Sequence, residues 1–176
     1  MKRIILLRHA SADLEAFNQD SDHKKPIDNK GENECKNLAL WLKNNFTEFD
    51  LIISSNAKRA LQTCELVFEA HSTTLQKNPS FYLCNSEEII MTIQKINDEV
   101  KNVVIVGHEP SISETMRVLS GSTRPDLKKY LNISYQPCTI CFLYFNLKSW
   151  KSLKKKDGVL EGYLSPDIVN LYNEKS

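Results

Sequence analysis

Near its start the chain carries a short apolar run, Ile4–Leu7, that stops at the adjacent pair Arg8 and His9. An apolar run of this length is typical of a buried β-strand. In open α/β sheets, ligands bind in the crevice beyond the carboxyl ends of the strands. A cation and an imidazole at the end of a buried strand therefore indicate a binding site at that edge of the sheet.

A second apolar run ends in the same way much later in the chain. Val103–Val106 is followed by Gly107 and His108. The carboxyl ends of parallel strands meet at one edge of a sheet. Two strands that each deliver a histidine to that edge predict a single site built from both.

The rest of the chain indicates an α/β fold, because strand-like apolar runs alternate with segments of helical periodicity. We expect a three-layer α/β/α sandwich with a mostly parallel central sheet and an antiparallel edge near the C-terminus. The antiparallel part follows from the runs Cys138–Phe145 and Val159–Leu164, which no long helix separates. Residues 1–176 are expected to form one domain, since the length suits a single core.

The apolar and polar patterns also predict the individual elements. These are a strand at Lys2–Leu7, a polar loop at Ser11–Asn29, a helix from Gly31, a strand at Asp50–Ile53, a helix N-cap at Ser54–Asn56, a helix at Ala60–Phe68, a strand at Phe81–Leu83, a helix at Glu87–Glu99, a strand at Val103–Val106 and a helix at Pro110–Gly121.

Composition narrows the classes of function. The chain is 41% hydrophobic and 26% charged, and its net charge of +1 provides no global field that would attract nucleic acid or an anionic membrane. No apolar stretch approaches the ~20 residues that a membrane-spanning helix needs. The five cysteines are odd in number and fit no secreted disulfide framework. We expect a cytoplasmic monomer that binds neither nucleic acid nor membrane.

Cys138 and Cys141 have the spacing of a metal-binding or redox pair. Both lie in a predicted strand, where side chains three positions apart point to opposite faces. No second pair of this spacing completes a zinc site. We therefore interpret them as reduced thiols.

Arg59 is the third notable cation, and it lies in the first turn of a predicted helix. A cation there opposes the helix dipole at a cost of a few tenths of a kcal/mol. Its position makes sense if an anion lies between the helix N-terminus and the guanidinium. Taken alone, Arg59 is also compatible with an arginine on the protein surface. We assign it to the predicted site because of the Arg8–His9 and Gly107–His108 pairs at the strand ends.

Arg8, His9, Arg59 and His108 together predict a pocket for an oxyanion. Arginine suits the geometry of phosphate, and imidazole can act as a nucleophile on phosphorus or as a donor to its oxygens. A metal site at the two histidines is the competing interpretation. It lacks a third ligand at suitable spacing, and two arginines would repel a divalent cation.

Three motifs, taken in order, resemble the histidine phosphatase superfamily. They are Leu7–Ala10, which ends a strand in Arg-His, the Ser-x-x-x-Arg-Ala-x-x-Thr segment Ser55–Thr63, and Val106–His108. Within the superfamily the chain is similar to the small SixA-type phosphohistidine phosphatases. Lys25–Ile27 supports this, and Phe81–Val103 leaves no room for the capping insertion of the larger members.

The resemblance implies that His9 attacks phosphorus and that Arg8, Arg59 and His108 bind the phosphoryl oxygens. It implies no metal and no organic cofactor. The substrate would be a phosphohistidine-bearing protein or a small phosphorylated molecule. Lys25 stands where such chains commonly have arginine, so it keeps the charge but lacks the bidentate fork, and it is a weaker candidate for phosphate binding.

Two departures from the family pattern bear on mechanism. Glu109 follows His108 where asparagine is usual, and it is expected to serve as a solvated carboxylate at a helix start. No acidic residue follows Phe81 and Tyr82, so the general acid is not identified.

Glu87 and Glu88 are candidates for that acid, or carboxylates at the start of a helix. Positioned acid catalysis contributes roughly 100- to 10,000-fold for a poor leaving group. A missing acid thus favours phosphohistidine, which leaves as imidazole. A broad-specificity phosphomonoesterase and a phosphate-binding module without turnover remain the alternatives.

Overall fold

The computed structural model describes residues 1–12, 19–46 and 48–174. These residues contain seven strands and five α-helices. The strands are β1 (Lys2–Arg8), β2 (Leu51–Ser55), β3 (Thr74–Asn78), β4 (Asn102–Gly107), β5 (Ser120–Thr123), β6 (Ile140–Phe145) and β7 (Gly158–Leu164). The α-helices are α1 (Asn29–Asn45), α2 (Lys58–Val67), α3 (Ser86–Ile93), α4 (Ser111–Leu119) and α5 (Pro166–Asn173). Short 3-10 helices cover Gln19–Lys24, Pro79–Phe81, Pro125–Asn132 and Trp150–Ser152.

The strands form one sheet in the order β3-β2-β4-β1-β6-β7-β5. The first four of these are mutually parallel, while β6 runs antiparallel to both β1 and β7. The predicted antiparallel strands near the C-terminus are therefore confirmed. They do not form the outer edge, however, because β5 adds a further strand beyond β7, parallel to it.

Strand alternation divides the core between the two faces of the sheet. In β1, Ile4 and Leu6 pack on one face with residues of α3 and α4, whereas Ile5 and Leu7 pack on the other with residues of α1, α2 and α5. Successive side chains of a strand point to opposite faces, so a strand covered on both sides is apolar throughout. The three-layer α/β/α prediction is confirmed.

The prediction of a strand at Phe81–Leu83 is wrong. The third strand is instead Thr74–Asn78, which lies at the edge of the sheet and is largely exposed. Leu75 is its one apolar residue, too little for a strand signal, because an edge strand needs little burial. Phe81 ends a 3-10 helix and is buried, and Leu83 has a left-handed φ of 55°.

Several predicted boundaries also change. Ser54 and Ser55 belong to β2, and the N-cap of α2 is Ala57, whose side chain makes no capping hydrogen bond. The predicted helix at Glu87–Glu99 ends at Ile93, and β5 begins directly after α4, at Ser120.

The polar loop predicted at Ser11–Asn29 contains a 3-10 helix, and its residues 13–18 lie outside the described residues. The helix that follows starts at Asn29, two residues earlier than predicted, because the Asp28 carboxylate accepts the backbone N–H of Gly31 and caps it.

Gly31 allows α1 to approach the chain segment that leaves β1. A Cβ atom at this position would lie 2.2 Å from the carbonyl oxygen of Ser11. That carbonyl already accepts the backbone N–H of Asp28 at 3.1 Å. The close contact therefore fixes the start of α1 against the residues that follow His9.

Gly31→Ala is expected to destabilise the protein, although alanine is the better helix former. The backbone must shift to admit the methyl group, and overpacking of this kind costs about 1–3 kcal/mol. Urea unfolding measures the change. Asn44→Ala, at an exposed position of the same helix, is the control and should change the free energy of unfolding by less than about 0.5 kcal/mol. Equal midpoints for Gly31→Ala and wild type would contradict this account.

Candidate functional site

Two neighbouring strands bring the predicted histidines together at one edge of the sheet. Arg8 of β1 lies opposite Gly107 of β4 in the parallel register, so His9 and His108 follow at the same level. The backbone N–H of His9 donates to the carbonyl of Gly107 at 3.0 Å. The two imidazole rings have centroids 5.0 Å apart.

Arg59 reaches this pair from the first turn of α2. Its Nε lies 3.3 Å from Nε2 of His9, and its Nη2 lies 3.3 Å from Nδ1 of His108. The residue is only 8% exposed. The structure thus brings together the residues predicted from three separate motifs, while their catalytic roles remain predictions.

The contacts of His9 fix which of its nitrogens carries the proton. Nδ1 lies 2.7 Å from the carbonyl oxygen of Ala10, which can only accept, so Nδ1 is protonated. Nε2 then keeps its lone pair and accepts from Arg59. Burial lowers the pKa of His9 to about 4, with Arg59 and Arg8 adding to the effect. His9 is therefore neutral at physiological pH.

His108 is held in the opposite tautomer. Its Nδ1 accepts from Arg59, so Nε2 carries the proton and donates to Oγ of Ser55 at 2.8 Å. Burial lowers the pKa of His108 to about 3, assisted by the nearby His9 and Arg59. Ser55 was predicted as part of a motif and as a helix N-cap, but its contact with His108 was not predicted.

Arg8 has an unsatisfied donor. Its guanidinium donates through Nη1 to the carbonyl of Tyr135, but its Nε is buried and has no hydrogen-bond partner among the described residues. Burial lowers the pKa of Arg8. A buried donor without a partner costs about 1–3 kcal/mol.

The pocket itself is an open cleft of about 340 Å³. Its lining residues are Arg8, His9, Ser11, Ala12, Asp22, Lys25, Arg59 and Pro137. Lys25, the weaker candidate for phosphate binding, is thus part of the cleft.

Asp22 is a member of the cleft that the sequence analysis did not identify as functional. Its Oδ2 accepts from Nη2 of Arg59 at 3.1 Å and from the hydroxyl of Tyr82 at 2.7 Å, and its Oδ1 lies 3.4 Å from Nζ of Lys25. The hydrogen bond from Tyr82 is the main cause that lowers the pKa of Asp22 to about 2. The only sequence signal was an aspartate three residues before Lys25.

Glu109 lies outside the residues that line the cleft. Its carboxylate accepts the backbone N–H of Ser113 at 3.0 Å and the Ser113 hydroxyl at 2.7 Å, as expected for a carboxylate at the start of α4. It also accepts the backbone N–H of Tyr135 at 3.2 Å. Because the Tyr135 carbonyl accepts from Arg8, Glu109 supports the position of that arginine.

The two candidates for a general acid lie at the start of α3. Glu88 accepts from the Ser80 hydroxyl at 2.8 Å, and Glu87 is exposed. Neither lines the cleft. Their positions suit carboxylates that stabilise a helix N-terminus.

Two searches of the described residues bear on other classes of function. Residues 1–12, 19–46 and 48–174 contain no group of three or more His, Cys, Asp or Glu side chains arranged to hold a metal ion. Within the same ranges, no helix combines the length and apolar character needed to cross a membrane.

Comparison with known proteins gives a consistent family assignment. Residues 4–82 match the model of the histidine phosphatase superfamily, branch 1. A crystal structure from Agrobacterium tumefaciens assigned to the phosphohistidine phosphatases SixA superposes with a TM-score of 0.77 and 25% identity, over 94% of this chain and 98% of that one. The chain is thus similar to the histidine phosphatase superfamily over residues 4–82, and to a structure assigned to SixA over most of its length.

Further relatives of this superfamily carry the SixA name. Phosphohistidine phosphatase SixA of Escherichia coli is 27% identical over 128 residues, which cover 70% of this chain and 78% of that protein. A protein histidine phosphatase SixA complexed with tungstate shares the fold, with a TM-score of 0.75 at 21% identity over 96% of this chain and 99% of that one. The superfamily match contains Arg8, His9 and Arg59, whereas His108 lies beyond it.

Thr63, in the superfamily's second motif, connects α2 to the chain after the nucleophile candidate. Its hydroxyl accepts the backbone N–H of Ala10 at 3.0 Å and donates to the carbonyl of Arg59 at 2.7 Å. The carbonyl of Ala10 in turn sets the tautomer of His9. One fully buried hydroxyl thus holds the two sides of the site together.

Thr63→Val is expected to lower the free energy of unfolding by about 1–3 kcal/mol, because it leaves the buried N–H of Ala10 without a partner. Thr63→Ser keeps the hydroxyl and should recover much of this loss. Chemical denaturation of the three proteins checks the expectation. If valine were tolerated as well as serine, the hydroxyl would carry no such role.

Acid is expected to weaken the fold through the two histidines. The pKa values of His9 and His108, about 4 and about 3, lie below the usual histidine value near 6.5. At pH values between these folded-state values and 6.5, the unfolded chain therefore binds more protons than the folded chain. Stability is then full above about pH 6.5 and falls on acidification, by up to about 1.4 kcal/mol per pH unit for each histidine. Asp22, with its pKa near 2, contributes a further loss only below about pH 4.

Urea unfolding at pH 7, 6 and 5 measures this slope. His108→Gln removes one of the two groups and should make the dependence on pH shallower, whatever its effect on stability at pH 7. Parallel curves for the variant and wild type would show that His108 does not titrate as described.

Proposed function

We propose that this protein removes the phosphoryl group from phosphohistidine on a protein, through an intermediate phosphorylated on His9. The state of His9 carries the proposal. The imidazole is neutral, its Nδ1–H is held by the Ala10 carbonyl, and its Nε2 lone pair accepts from Nε of Arg59, a contact that is released before attack. A neutral imidazole with a directed lone pair is an activated nucleophile for covalent catalysis.

The first step transfers the phosphoryl group to His9. Nε2 of His9 forms a bond to phosphorus while the bond from phosphorus to the substrate imidazole breaks, and its electron pair goes to the departing nitrogen. His9 then carries phosphorus on Nε2 and a proton on Nδ1. The Ala10 carbonyl accepts that proton's hydrogen bond before and after transfer, so the ring need not turn during the reaction.

Two guanidinium groups of the cleft lining are available to the phosphoryl oxygens. Arg8 lines the cleft, and the N–H groups of Arg59 that now contact the two histidines can turn to phosphate. Donors directed at developing charge stabilise it by about 3–4 kcal/mol for a single donor in measured cases.

Ser55 makes His108 adaptable as a donor. In the structure, Nε2–H of His108 donates to the Ser55 hydroxyl, and Nδ1 accepts. If Nδ1 carries the proton instead, it can donate to a phosphoryl oxygen, and the Ser55 hydroxyl can donate to Nε2. A hydroxyl supports either tautomer because it is both donor and acceptor.

In the second step, a water oxygen forms a bond to phosphorus, the bond to Nε2 breaks with its electron pair returning to Nε2, and inorganic phosphate leaves with the protons of the water. Asp22 supplies the carboxylate of the described cleft lining, and with a pKa of about 2 it holds no proton at neutral pH. An alcohol leaving group would need a positioned acid. Imidazole leaves without one, and this supports phosphohistidine over phosphomonoesters.

The proposal also draws support from the relatives. The E. coli protein is named a phosphohistidine phosphatase, and tungstate, bound in another relative, is a tetrahedral oxyanion like phosphate. The open cleft suits a phosphoryl group carried on a protein surface.

The test compares turnover of a phosphohistidine-bearing protein with that of para-nitrophenyl phosphate. Wild type is expected to prefer phosphohistidine, and His9→Ala should lower kcat by at least about a thousandfold because the nucleophile is gone. A phosphoryl label on His9, acid-labile as a phosphoramidate is, should appear in wild type and be absent from His9→Ala. His71→Gln, a histidine outside the cleft, is the matched control and should retain activity.

Three results would contradict the proposal. Comparable kcat/KM on both substrates would indicate a broad phosphomonoesterase. Binding of phosphate without turnover, unaffected by His9→Ala, would indicate a binding module. Turnover by a folded His9→Ala protein would remove His9 as the nucleophile, and a thermal melt shows whether that variant is folded.

A further inference from the structure

Asp22 brings a negative charge into a cleft that is otherwise built for an anion. Its side chain is 35% exposed, whereas His9 and Arg59 are 9% and 8% exposed. The carboxylate therefore lies nearer the mouth of the cleft than the two groups that would contact the phosphoryl group. None of the proposed chemical steps uses it.

The surroundings of Asp22 keep it an acceptor. The titratable groups that face it are Arg59 from α2, Lys25 after the first 3-10 helix, Tyr82 after the second, and the two imidazoles of His9 and His108. Two cations and a phenol donor hold the carboxylate ionised, and both histidines are neutral. At working pH it can accept a hydrogen bond but cannot donate one.

We propose that Asp22 selects the leaving group: its carboxylate accepts a hydrogen bond from the second ring nitrogen of an N-phosphorylated imidazole at the mouth of the cleft. This inference rests on the proposed function and gives that function a specificity residue.

The chemistry of the leaving group explains why an acceptor is useful there. When the ring nitrogen distant from phosphorus carries a proton, the P–N bond breaks to release neutral imidazole, with the electron pair on the departing nitrogen and no proton transferred in that step. A carboxylate beside the ring favours the protonated form, because an opposite charge stabilises a cation. The Ala10 carbonyl serves the corresponding Nδ1–H of His9.

The same carboxylate offers other phosphate compounds no such contact. The alcohol of a phosphoserine or sugar phosphate presents no cationic ring, so it gains nothing from Asp22. The negatively charged phosphoryl group is common to both kinds of substrate, so its interaction with Asp22 does not distinguish them. Discrimination then comes from attraction for one leaving group.

The position of Arg59 does not depend on the Asp22 charge alone. The backbone carbonyl of Asp22 also accepts from Nη1 of Arg59, at 2.7 Å. Asp22→Asn keeps this carbonyl and the shape of the side chain while it removes the charge. The variant therefore separates a role in leaving-group recognition from a role in holding Arg59.

The test measures kcat/KM of wild type and Asp22→Asn on N-phosphoimidazole and on para-nitrophenyl phosphate. The ratio of the two, N-phosphoimidazole over the ester, is expected to fall by about tenfold in the variant, as for loss of one charge-assisted hydrogen bond. The ester's own kcat/KM should stay level or rise. The alkaline limb of the N-phosphoimidazole profile should move to lower pH, since the substrate ring keeps its proton less well.

Asp126→Asn, an exposed carboxylate paired with Arg124 away from the cleft, is the matched control and should leave the ratio unchanged. An equal fall on both substrates would show that Asp22 only positions Arg59. An unchanged ratio with an unchanged pH profile would also overturn the inference. Failure of the proposed function is recognised separately, because wild type would then not turn over N-phosphoimidazole through His9.

Discussion

One buried guanidinium, that of Arg59, joins the parts of the site to each other. It donates to His9 and His108, which directly follow β1 and β4, and to Asp22 on the wall of the cleft. A cation in the first turn of a helix is unfavourable by itself, and the carboxylate and carbonyl of Asp22 offset that cost. The guanidinium also helps to keep both imidazoles neutral, so the positive charge of the site resides on arginines, which cannot lose it.

The sequence predicts the central strands well, because parallel strands buried on both faces must be apolar throughout. β1, β2 and β4 are apolar on both faces, and their carboxyl ends bring the motif residues together. β3 was missed because an edge strand can be polar. Asp22 and Tyr82 were missed for another reason: they meet across 60 residues of sequence through two 3-10 helices that no periodicity reveals.

Glu109 shows how a departure from a family pattern can be absorbed by the fold. A carboxylate beside a phosphate pocket would be expected to weaken anion binding. Here Ser113 and the backbone of Tyr135 occupy its acceptor sites and turn it toward α4. Its partner Tyr135 then presents a carbonyl to Arg8. The Glu109 carboxylate thus fixes the segment between Pro125–Asn132 and β6 through Tyr135. The same segment holds Arg8.

Under the proposed function, transfer between two imidazoles would pose the same problem at both ends of the reaction, yet the fold would have to solve it differently at each. His9 lies deep in the site, so a neutral carbonyl can hold its Nδ1–H while burial keeps the ring uncharged before attack. The proposed substrate ring would lie at the mouth, where water competes for every hydrogen bond and burial provides little control. Only a full charge offers a strong preference for the protonated ring in such a place. A carboxylate held ionised by Arg59, Lys25 and Tyr82 meets that requirement.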